Sequence, residues 1–131
     1  MRNMSLPSRE IKMLGKEELT QSDIEYFRTK YGKRFVRALR AVEEGRVLEH
    51  LFHPSETTKW IVQGKRREYL VIPRVFCTCR SFYHSVVIER EAQMCYHLLA
   101  QAIAETRNQQ KRVESTDAER REMSAELRRT D

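Results

Sequence analysis

Three thiols and an imidazole stand in two tight pairs: Cys77-Thr-Cys79, then fifteen residues, then Cys95-Tyr-His97. The chain has three cysteines in all, and every one falls inside this pattern. Sulfur and nitrogen donors in a closed Cys₃His set suit a tetrahedral structural Zn²⁺. Each thiol must lose its proton to bind, and Cys95, expected at a helix N-terminus, is helped by the helix dipole. Cys77 and Cys79 flank one residue, so an extended or knuckle-like turn lets both sulfurs reach one ion. Cys95 and His97 converge if the first helical turn curls around it. Three thiolates on Zn²⁺ leave a charge of −1, which Arg74 and Arg80 are near enough in sequence to offset. A disulfide is the competing use of the same residues. It would leave an odd thiol, and nothing in the chain points to an oxidising compartment.

The remaining residues offer little other chemistry. Catalytic zinc keeps a coordination position open for water, and here all four ligands are assigned. His84 lies in the spacer and reads as a structural residue on a helical face. His50 and His53 alternate along a strand and read as surface or edge residues. There is no glycine-rich phosphate loop, no nucleophile elbow and no outstanding pair of carboxylates, so the expectation is a protein that is not an enzyme and takes no small-molecule substrate.

The net charge of +6 is concentrated in two places. Residues 28–40 hold six bases and no acid, and residues 59–80 hold six bases against Glu68 alone. Such blocks attract phosphate backbones or simply solvate a surface. The second block supplies candidate nucleic-acid contacts: Lys59, Lys65, Arg66, Arg67, Arg74 and Arg80. Trp60 and Tyr69 would add stacking rings, although a single tryptophan in so small a chain is better used in the core.

The elements that must position these residues follow from periodicity. Residues 1–20 read as a flexible lead-in. Ser22-Asp-Ile-Glu25 reads as a capping box opening helical segments over 22–44, broken at Gly32 and ended at Gly45. Phe35, Val36, Leu39 and Val42 are the expected apolar face of the second helix. Val47–Phe52, Trp60–Gln63 and Glu68–Ile72 are β-branched and aromatic runs separated by turn residues, a three-stranded antiparallel meander within 46–76. A fourth short stretch carries Cys77 and Cys79, a helix is expected over 81–91, and another starts at Cys95. From residue 106 the chain is highly charged with few large apolar residues and reads as a partly disordered tail, with Thr116-Asp-Ala-Glu119 able to cap a short helix. The expected fold class is α+β: N-terminal helices, a short meander, and a zinc-bound element followed by a C-terminal helix, with residues 21–105 as one domain. With 131 residues and 40% hydrophobic content the core is modest, and domains this small often rely on a metal. No stretch has the roughly 20 apolar residues needed to span a bilayer, and residues 1–16 lack a signal-peptide run. The expected location is intracellular, cytoplasmic or nuclear according to the cell, with no membrane partner.

C-x-C, a variable spacer and C-x-H resembles the SWIM zinc-finger family. Ala100 extends the motif to C-x-H-x-x-A, which resembles the branch of Shu-complex-type recombination mediators. The resemblance covers residues 26–104 and is architectural outside the metal motif. It implies an adaptor in recombination and repair that pairs with a RecA/RadA-family recombinase paralogue and supports its action on single-stranded DNA. A direct nucleic-acid-binding module is the alternative. One turn beyond His97, a small residue at position 100 would let the helix lie close to the sheet.

Overall fold

The computed structural model describes residues 6–64, 67–74, 76–78 and 95–127. The elements in chain order are α1 (Ser8–Leu14), α2 (Gln21–Tyr31), α3 (Lys33–Glu43), β1 (Val47–His53), β2 (Thr57–Gln63), β3 (Glu68–Ile72), β4 (Phe76–Cys77), α4 (Tyr96–Arg107), β5 (Lys111–Thr116) and α5 (Asp117–Leu127). The fold is α+β, as expected. Strands run in the order β4-β3-β2-β1-β5, antiparallel except for the β1–β5 pair, which is parallel.

Local chemistry sets the helix ends. The capping box that opens α2 uses Thr20 and Asp23, two residues before the expected pair: Asp23 N–H donates to Thr20 Oγ1 at 3.1 Å, and Thr20 N–H donates to the Asp23 carboxylate at 3.0 Å. Gly32, at φ +69°, is the only residue between α2 and α3, a conformation that side chains resist. Gly45 (φ +70°) ends α3 in a Schellman motif, with Arg46 N–H donating to Ala41 O at 2.9 Å and Gly45 N–H to Val42 O at 3.1 Å. The buried face of α3 is Phe35, Ala38, Ala41 and Val42, whereas Val36, expected on that face, is exposed. Phe27 of α2 stacks on Phe35 with ring centroids 4.9 Å apart.

Alternation along the strands gives the sheet two buried faces. On one, Val47, Trp60, Val62, Val71 and Cys77 pack with Phe27, Phe35, Leu98, Leu99 and Ile103 of the helices. Trp60 is thus a core residue. On the other, Leu48, His50, Phe52 and Ile61 are buried, and α5 lies against β1 and β3. Here the flexible-end expectations fail in their described parts. Leu6 and Leu14 join the core, and Glu10 of α1 is buried, accepting from Tyr31 Oη at 2.5 Å, Tyr26 Oη at 3.0 Å and Lys30 Nζ. The charged tail supplies β5 and α5. The capping of α5 follows the expected pattern, with Glu119 N–H donating to Thr116 Oγ1 at 3.2 Å and Thr116 N–H to Glu119 Oε1 at 3.2 Å. Asp117 then fixes the helix to the β1–β2 turn by accepting from Ser55 Oγ at 2.7 Å.

Candidate metal centre

Two elements distant in sequence converge here. Strand β4 pairs Cys77 with Val71 of β3. The chain is held just beyond it by Thr78, whose N–H donates to Leu70 O and whose Oγ1 accepts from Leu70 N–H, both at 3.1 Å. Cys95 is the N-cap of α4, with extended backbone (φ −77°, ψ 170°) and no side-chain capping bond, so its thiol is directed to another task. His97 follows in the first turn of the same helix.

The donor atoms of Cys77, Cys95 and His97 lie within 4.8 Å of one another. All three residues are buried, at 1%, 0% and 3% exposure. Among the described residues, neither ring nitrogen of His97 has a hydrogen-bond partner. A buried imidazole with both nitrogens unsatisfied is costly, and a metal ion at one of them removes much of that cost. Two sulfurs and one imidazole nitrogen in a desolvated pocket at the positive end of a helix therefore fit Zn²⁺. A tetrahedral site needs a fourth donor, and Cys79, two residues after Cys77, lies outside the described residues. So do the expected helix over 81–91, His84, and three of the expected basic contacts, Lys65, Arg66 and Arg80.

Aromatic rings flank His97. Tyr96 and Tyr69 place their ring centroids 3.8 Å and 4.2 Å from the imidazole. Arg37 of α3 lies over Tyr96 at 4.2 Å, and Arg67 lies over Tyr69 at 5.7 Å. Gly64 makes room for this arrangement, since a Cβ there would meet Tyr69 Cε2 at 2.8 Å. Ala100 is fully buried in the core. Arg74, in a left-handed turn at φ +67°, directs its guanidinium to Glu105 at 3.4 Å. Lys59 is half-buried on β2, on the α5 side of the sheet. Sequence reasoning missed Tyr96 and Arg37 as neighbours of the centre. The position of Tyr96 between two ligands was the available signal.

No model of a known protein family matches the chain. Among curated proteins, it is similar to the zinc finger SWIM domain-containing protein 7 homolog of Dictyostelium discoideum, 26% identical over 84 residues. The match covers 63% of this chain and 54% of the relative, so the chain spans about half the length of the curated relative it matches. No solved structure matches. That likeness and the buried Cys-Cys-His cluster together fit a SWIM zinc finger.

Proposed function

We propose that the chain is a zinc-stabilised adaptor, not an enzyme, that binds a RecA/RadA-like recombinase paralogue and supports its action on single-stranded DNA. The observation that carries the reading is the buried Cys77, Cys95 and His97 cluster at the start of α4, completed by Cys79 from the sequence. With four protein donors the ion has no position for substrate, and its work is to join the last antiparallel strand to α4. The recombination branch is supported by Ala100, one turn past His97 and fully buried, as a C-x-H-x-x-A ending requires if a larger side chain cannot fit. Among the described residues no helix is long and apolar enough to cross a membrane.

The test is affinity purification of the tagged chain from native extract. A RecA-like ATPase that co-purifies with the chain, and is lost with a His97→Ala variant, supports the adaptor. Its reproducible absence sinks that reading. Direct nucleic-acid binding is the second reading, favoured by the half-buried Arg67–Tyr69 pair beside the centre. Ionic strength separates the two, since phosphate-driven binding weakens steeply with salt and a largely apolar protein interface does not.

A further inference from the structure

Among the described residues, some bases sit beside a carboxylate and others do not. Lys16, Lys30, Arg46, Arg74 and Arg112 each have a carboxylate within ion-pair distance. Lys33, Arg34, Arg37 and Arg40 of α3 have none among the described residues. Lys33, Arg37 and Arg40 are all exposed, opposite the buried Phe35, Ala38 and Val42. Spaced i, i+4, i+7, they form one row about 10 Å long on the helix surface.

This row does not end in solvent alone. Arg37 lies on Tyr96, Tyr96 packs on His97, and His97 packs on Tyr69. The column starts at the candidate metal centre, and its outer member is Arg37, an exposed residue. A solvated face needs neither feature. A row of cations with no carboxylate beside it among the described residues attracts a chain of phosphates, and a guanidinium held over a ring is a planar group on which an unpaired base can stack.

We infer that the row Lys33, Arg37 and Arg40 of α3, together with the Arg37–Tyr96 stack, is a binding surface for single-stranded nucleic acid. Phosphates track the row, and one base stacks on the outer face of Arg37. Duplex is disfavoured because its bases are already stacked and paired. The inference rests on the reading that the chain works beside single-stranded DNA, and it moves the contact from the strand turns to α3.

The experiment is fluorescence anisotropy of a labelled oligothymidylate with the zinc-loaded full chain, across a salt series. K33E/R37E/R40E is compared with K12E/K111E/R121E, which makes the same change in net charge at other exposed positions. The α3 variant should lose at least about tenfold in affinity. Its slope of log affinity against log salt should become shallower by about 2, given roughly 0.7 per phosphate contact on single strands. The control should keep most of the wild-type affinity. Arg37→Lys keeps the charge and removes the plane, so it should weaken binding several-fold with little change in slope. Equal losses in the two triple variants overturn the inference, as does equal affinity for a blunt duplex. If α3 instead meets an acidic protein, the isolated chain will not bind the oligonucleotide even at low salt. The inference then fails while recombinase co-purification can still succeed.

Discussion

A fully buried alanine one turn after a candidate metal ligand is a tight restriction on what the helix can carry. Ala100 has no exposed surface and packs among Leu98, Leu99, Ile103 and the sheet residues Trp60, Val62 and Val71. Ala100→Leu must insert three carbons into filled space, which costs about 1–3 kcal/mol. A thermal melt should show that loss, with zinc content kept. An unchanged melting temperature would mean the position is merely a helix filler. Gly64 acts more indirectly on the same centre. A methyl group there drives against the Tyr69 ring, which in turn packs on His97. Gly64→Ala should therefore perturb the His97 imidazole resonances in NMR spectra, although no ligand is altered. Spectra that change only at residues 63–69 would remove the proposed coupling.

At the scale of elements, α5 changes the chemistry of a histidine. His50 reads as a strand-surface residue in sequence, but it is buried on the α5 side of β1, stacked on Phe52, with neither ring nitrogen bonded among the described residues. Burial holds its pKa below the ordinary 6.5, against the opposing pull of Glu68 and Glu119. Above that value both folded and unfolded chains carry a neutral ring, so stability is flat with respect to this group. Below it, the unfolded chain takes up a proton that the folded chain resists, and stability falls until the lower folded pKa is reached. Melting temperature should therefore drop as pH falls below the ordinary 6.5, and His50→Leu should flatten much of that slope. A wild-type slope retained in full by the variant would place the titration elsewhere. Glu10 adds a separate loss at lower pH. Burial opposes its charge, but bonds from Lys30, Tyr31 and Tyr26 outweigh that and hold its carboxyl below 4.5. Its contribution is present above that range and is lost as pH falls through the lowered value.

These elements also show what sequence can convey. Ligand chemistry is local, so residue spacing pointed to Cys77, Cys95 and His97, which the structure brings together, and β3 runs over Glu68–Ile72 as its β-branched residues indicate. Strand β5 was illegible because Lys111–Thr116 holds a single apolar residue, Val113, and pairs with a strand 63 positions earlier. The order in α1 was hidden for a similar reason. Its last carbonyl and one just beyond it are held by Arg107, whose guanidinium donates to Leu14 O at 2.8 Å and Lys16 O at 3.0 Å. No window of sequence contains both partners. The misplaced His50 follows from the same gap, since the helix lying against its strand was read as tail.

For the whole molecule, the sheet is covered by helices on both faces, and the candidate metal ligands gather on one. The α3–α4 side holds the larger core and the Cys77, Cys95 and His97 cluster. The α5 side holds four buried residues of β1 and β2 and the Asp117–Ser55 contact. Because the donors lie on β4 and α4, binding a metal there is also folding of the larger side. We expect one zinc per chain by elemental analysis after gentle purification. Stripping it with a chelator should lower the melting temperature and reduce near-ultraviolet signal from Tyr69 and Tyr96, which flank His97. Cys79→Ala, Cys95→Ala and His97→Ala should each release metal and destabilise the chain. Full retention of zinc by Cys79→Ala would reassign the fourth ligand while leaving the other three. Retention by Cys95→Ala or His97→Ala would end the case for the centre, because those residues bring α4 to the ion.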